Sequence, residues 1–103
     1  MSFNDLVKRA EQGDLKSGLE LAKSYLTGRG VKRDYTEALR WFRIAAEDGS
    51  GEAEYYLANC YYKGIGVEKD YKRALDYFLK AKNHYYMDCS SMISDCIDEL
   101  NLA

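Results

Sequence analysis

Gly28-Arg29-Gly30-Val31-Lys32-Arg33-Asp34-Tyr35 is answered, 36 residues further on, by Gly64-Ile65-Gly66-Val67-Glu68-Lys69-Asp70-Tyr71. Working outward from this pair, an ungapped overlay of residues 14–49 on 50–85 gives 12 identities in 36 positions. Outside the quoted stretch they are Leu21/Leu57, Ala22/Ala58, Tyr25/Tyr61, Ala38/Ala74, Leu39/Leu75, Phe42/Phe78 and Ala45/Ala81. A period of this length marks a helical array whose units bury their apolar faces against their neighbours.

The spacing of the apolar residues assigns the helices. Leu21, Ala22 and Tyr25 (i, i+1, i+4), echoed by Leu57, Ala58 and Tyr61, place a helix A over about 15–27 and 51–63. Ala38, Phe42 and Ala45, echoed by Ala74, Phe78 and Ala81, place a helix B over about 35–47 and 71–83. Gly28 and Gly64 stand where helix A stops, a position suited to left-handed dihedrals. Asp34 and Asp70 stand where a carboxylate can accept the first amide protons of helix B, and Asp34 with Glu37 has capping-box spacing. Gly49-Ser50 closes one helix B and opens the next helix A, as Gly13-Asp14 does one repeat earlier.

The pattern continues beyond the two full repeats. Leu6 aligns with Phe42 and Ala10 with Ala46, which predicts a lone helix B over 3–12. Cys89, Ile93, Ser94 and Ile97 align with Ala53, Leu57, Ala58 and Tyr61, which predicts a lone helix A over about 86–99. That last segment lacks the following Gly-x-Gly-Val and is expected to cap the stack. The reading is an all-α chain of six helices in a single domain, 1–103, divided as 3–12, 14–49, 50–85 and 86–103.

Composition narrows the function classes. A chain of 103 residues can build one continuous core but not a core and a deep catalytic cleft. The net charge is −2, with basic residues dispersed among acidic ones, so no electrostatic reason points to nucleic acid or an anionic membrane. No apolar run approaches the roughly 18 residues needed to span a bilayer. The stretch Met1-Ser2-Phe3-Asn4-Asp5-Leu6-Val7-Lys8-Arg9 lacks the basic-then-apolar order of a Sec signal. With three cysteines, this leads us to expect a reduced, cytoplasmic protein.

The string Leu57-Ala58-x-x-Tyr61-x-x-Gly64-x-Gly66-Val67-x-x-Asp70-x-x-x-Ala74, then Tyr77 and Ala81, resembles the Sel-one-like repeat (SLR) family, which is related to the tetratricopeptide repeats. In the first copy Trp41, Ala45, Ala46 and Gly49 match as well. Ala22 and Ala58 stand where that family usually has Gly, and alanine still permits close helix approach. The resemblance implies a right-handed α/α superhelix (solenoid) whose concave groove, lined by A helices, binds a protein or peptide. Some secreted bacterial members are cysteine-rich, with a disulfide stapling each helix pair; this chain does not reproduce that pattern. Cys89 and Cys96 are seven residues apart, roughly 10 Å along a helix, too far for a bridge. Cys60, Cys89 and Cys96 read as small core or boundary thiols.

Catalytic readings find little support. The one histidine, His84, reads as a helix-end surface residue, with no motif supplying a nucleophile and an orienting carboxylate. The cysteines lack zinc-site pairing, so no metal or other cofactor is expected. No serine has a lysine three residues on, there is no Gly-x-Ser-x-Gly, and Gly-x-Gly-Val follows a helix rather than a strand.

Of the ten tyrosines, Tyr25, Tyr61, Tyr35 and Tyr71 recur at equivalent positions and read as packing residues, with Tyr77 in the place of Trp41. Tyr56, Tyr62, Tyr85 and Tyr86 break the internal symmetry, which makes them candidates for binding, the alternative being scattered surface aromatics or contacts with the end helix. Helical geometry puts Glu52, Tyr56, Asn59 and Lys63 on the side of helix A opposite Leu57, Ala58 and Tyr61. The equivalent positions are Lys16, Glu20, Lys23 and Thr27, and then Asp88, Met92, Asp95 and Glu99. A peptide with an apolar anchor and basic residues at one end would complement these faces.

The function expected is a non-catalytic scaffold or adaptor that binds a partner polypeptide. The alternatives are a neutralising protein of immunity or antitoxin type, a weak hydrolase, or a self-association module. The last rests on an apolar stripe at the carboxyl end (Met87, Met92, Ile93, Ile97, Leu100), through which a weak homodimer would form.

Overall fold

The backbone turns wherever a glycine or a short polar side chain interrupts the apolar periodicity. In the computed structural model, which describes residues 2–84 and 86–101, this produces α1 (Phe3–Glu11), α2 (Leu15–Thr27), α3 (Tyr35–Glu47), α4 (Gly51–Lys63), α5 (Tyr71–Asn83) and α6 (Ser90–Glu99). The described residues contain no strand, and none of their helices is long and apolar enough to cross a membrane. Tyr85, one of the symmetry-breaking tyrosines, lies outside the described residues, as do Met1, Leu102 and Ala103.

Four helices have the bounds read from the repeat. α1 ends one residue early, at Gln12 as its cap, and α6 begins at Ser90 rather than near 86. The late start has a local cause. The Tyr86 amide donates to the Ala81 carbonyl, keeping the chain folded against the end of α5, and Asp88 then accepts from the Ser90 amide and hydroxyl. An aspartate two residues ahead offers the backbone a turn in place of a further helical step.

The two A–B joints are built alike. Gly28 and Gly64 take φ of 75° and 73°, left-handed values that glycine adopts without penalty. Their amides donate back to Ser24 and Cys60, and the next amides, of Arg29 and Ile65, return to the same carbonyls. The Asp34 and Asp70 amides then reach across the loop to Tyr25 and Tyr61, each at 2.9 Å. Both aspartates cap the B helix, accepting from the amides of Glu37 and Arg73. Such a cap stabilises a helix by ~1 kcal/mol.

The chain divides into two units between Asp48 and Gly49, at the junction of the repeats. In the first, α1 packs on α2 and α2 on α3, around Leu6, Leu21, Ala38, Trp41 and Phe42. In the second, α4 packs on α5 and α5 on α6, around Ala58, Tyr61, Ala74, Phe78, Ala81, Cys89 and Cys96. Complete burial of a side chain such as Phe42 or Phe78 contributes ~1.5–3 kcal/mol each. Cys60, Cys89 and Cys96 are buried thiols outside any disulfide.

Candidate functional site

On α2 and α4 the candidate residues lie on faces turned from the core; on α6 they divide between solvent and core. On α4, Leu57, Ala58 and Tyr61 are buried, Glu52, Tyr56 and Asn59 are half-buried, and Lys63 is exposed. Tyr56 meets Tyr55 edge-on at 5.9 Å, and Tyr55 meets Phe78 in the core at 6.1 Å. The chain of rings positions the Tyr56 side chain at the rim of the core. Asn59 donates its amide to the Tyr55 carbonyl at 3.3 Å and so lies along the helix.

The other site residues fall in two groups. On α2 of the first unit, Lys16, Glu20 and Thr27 are exposed and Lys23 is half-buried. On α6 of the second unit, Asp95 and Glu99 are exposed, whereas Met92 is half-buried against the core cluster that includes Ala58 and Phe78. Asp88 precedes α6 and is occupied by its bonds to Ser90, which hold its carboxyl below the usual range. Tyr62 resolves as a packing residue, its ring 5.3 Å from that of Tyr71 and set against the core. Its phenol is pushed up first by desolvation and then by the charges of Asp95 and Glu99. Tyr86 is exposed but leans on Tyr55 at 5.5 Å.

One interaction lies beyond the sequence reading. His84 caps α5 and is half-exposed, as a helix-end histidine should be, yet it is not simply a surface group. Its Nδ1 stands 2.7 Å from Oε1 of Glu54, a carboxylate only 3 % exposed, and donates to it. A buried carboxylate needs such a donor. The signal was present in the sequence. Glu54 lies on the buried stripe of α4, three residues before Leu57 and four before Ala58, where a charge calls for a partner. Against the first repeat, Gly18 becomes Glu54 and Asp48 becomes His84, so both members of the pair change together.

In the first unit, that same locus is a dimple of about 40 Å³ between α2 and α3, with the end of α1 beside it. Trp41 closes its floor, and Leu15 and Ile44 form its walls. Asp14 and Asp48 stand on its rim; the Ser17 hydroxyl donates to Asp14 at 2.7 Å and lowers its carboxyl pKa more than any other influence. Among the described residues no group of three or more His, Cys, Asp or Glu side chains is placed to hold a metal.

The profile of the Sel1 repeat matches residues 19–50 and again 51–86. The chain belongs to the Sel1 repeat family. No curated protein matches the chain in full-sequence comparison. Among solved structures, it is similar to a Sel1 repeat protein from Oxalobacter formigenes, with 38% identity and a TM-score of 0.72 over 77% of this chain and 32% of that one. It is also similar to a protective antigen present in uropathogenic Escherichia coli strains and displaying an SLR fold. There the identity is 40% and the TM-score 0.77, over 80% of this chain and 18% of the antigen. This Sel1-repeat chain thus spans a third or less of the lengths of these relatives. The likeness establishes its repeats as those of an SLR-type α/α solenoid.

Proposed function

We propose that this Sel1-repeat chain is a non-catalytic scaffold that binds a partner polypeptide along the outward faces of its A helices. Proteins of the family are generally protein-interaction scaffolds. The observation that carries the reading is Tyr56. Its counterpart in the first repeat is Glu20, so packing of the repeat does not require a ring there. The ring is nevertheless held by Tyr55 at the rim of the core, with Asn59 and Lys63 following on the same face. A large amphipathic side chain fixed before binding loses little entropy when it is covered, which is why tyrosine recurs at hot spots.

The test is affinity capture from the native lysate with the wild type and with the double variant Tyr56→Ala, Lys63→Ala. A partner held by the wild type and reduced by about tenfold or more with a still-helical variant supports the α4 face, since a hot-spot ring accounts for ~2 kcal/mol or more. Equal capture by both proteins moves the binding surface elsewhere.

A further inference from the structure

We propose that the dimple of the first unit is a second docking site, one that seats a lysine or arginine side chain of a partner polypeptide. It is separate from the A-helix face described above. Asp14, Leu15 and Gly18 line the dimple, whereas the α2 candidates for that face are Lys16, Glu20 and Lys23.

Three properties of the dimple select the occupant. Its walls are hydrocarbon left open to solvent, Leu15 at 37% and Ile44 at 41% exposure. Its depth comes from the missing side chain of Gly18, where an added Cβ would sit 3.5 Å from the Trp41 ring. Its volume, about 40 Å³, takes roughly three methylene-sized groups. An aliphatic stem fits this space, and a bulky ring does not.

The charges decide what the stem must carry. The ionisable groups in the lining, Asp14 and Asp48, are both carboxylates; Asp48 caps α3 at its carboxyl end, where the helix dipole is negative, and the Asp14 carboxylate offsets the positive dipole at the amino end of α2. Arg9 acts on Asp14 as the last of the influences on that carboxyl. Lysine and arginine combine an apolar stem with a cationic head and bury the one while presenting the other. A plain aliphatic side chain would leave the rim unmatched, and an acidic one would be repelled.

The second repeat serves as an internal control. Ile44 is replaced there by Lys80, Asp48 by His84, and the space beside Gly18 is taken by Glu54. Its Lys80 ammonium already lies 5.3 Å from the centre of the Tyr77 ring. Docking of a cation at the equivalent place would meet a cation.

The test uses a displayed library of random peptides, panned on the immobilised full chain at low ionic strength. The expected result is enrichment of lysine or arginine among the recovered peptides. Binding of one such synthetic peptide should then fall by about tenfold for Ile44→Lys, for Asp48→Asn, and for norleucine in place of its lysine, the weight of one charge-assisted contact. Ile44 is at the surface and its counterpart is already a lysine, so the Ile44→Lys protein should melt as the wild type does. Recovery of no peptides, or of peptides without basic enrichment, overturns the proposal. So does binding that drops with Tyr56→Ala and ignores Ile44→Lys, which would assign the peptides to the α4 face instead.

Discussion

Between their A and B helices, the two repeats solve one packing problem with different chemistry. The first leaves Gly18 empty and covers the place with the Trp41 indole, 5% exposed, the Arg40 guanidinium lying 4.7 Å over the ring. The second fills the same position with Glu54, answers its charge with His84, and uses Tyr77, half-buried and stacked on Tyr61 at 5.9 Å, where the tryptophan stood. Gly51 is a fourth difference, standing in the place of Leu15. A Cβ there would come within 2.8 Å of the Tyr86 Cβ and 3.2 Å of the His84 Cβ, so the returning chain occupies the space a leucine would need. A repeat can therefore keep its helices and change the polarity of what it presents, provided that the residues at 18, 48 and 15, or at their partners 36 positions on, change as a set.

The largest test of this difference is truncation of the ring. Trp41→Ala should destabilise by about 3–5 kcal/mol, because a buried indole leaves a cavity, whereas Tyr77→Ala should cost about half as much from its half-buried site. Urea unfolding of the two variants measures the ratio. Equal losses would mean that the repeats depend on this position to the same degree.

A smaller effect is expected at the polar pair. His84→Ala leaves Glu54 buried without its donor, a cost of about 1–2 kcal/mol that should lower Tm by roughly 4–15 °C. Asp48→Ala, at the equivalent position, should change stability by about 0.5 kcal/mol or less, as at most exposed sites. If both variants melt together, the Glu54 carboxylate is satisfied by something other than the imidazole.

The last effect appears only in alkali. All three thiols belong to the second unit, and burial first, then Asp95 and Glu99, push Cys96 up to about 11. An unfolded thiol ionises near ~8.5, so the fold favours the neutral form. The stabilising contribution is complete below that value and is lost as pH rises toward about 11. Denaturant midpoints measured across this range should fall in the wild type and fall less steeply in Cys96→Ala. Parallel slopes would assign the alkaline loss to other groups, such as Cys89, Tyr25 and Tyr62, which are raised as well.

The repeat spacing made the helices and their joints legible, because glycine and aspartate act locally and their positions recur. Gly28, Gly64, Asp34 and Asp70 do what their residue types require whatever surrounds them. The start of α6 was obscured by the same regularity: aligning Cys89 with Ala53 hid the Asp88–Ser90 turn, a signal specific to that segment. The candidate faces were legible as faces, since helical geometry alone puts Tyr56, Asn59 and Lys63 together. It could not say that Met92 would settle against the core cluster, because that depends on how α6 lies on α5. The Glu54–His84 bond joins residues 30 apart, and neither residue type indicates the other without the overlay of the repeats.

The joints themselves have a consequence for building with this chain. Each A–B connection is fastened by main-chain bonds, an αL glycine and one aspartate, and these have the same partners in both copies although the loops read Arg29, Lys32 and Arg33 in one and Ile65, Glu68 and Lys69 in the other. A fastening that ignores most side chains acts as a standard connector. The loop residues common to both copies are Gly, Gly, Val and Asp, so the positions between them are open to exchange while the joint keeps its main-chain bonds.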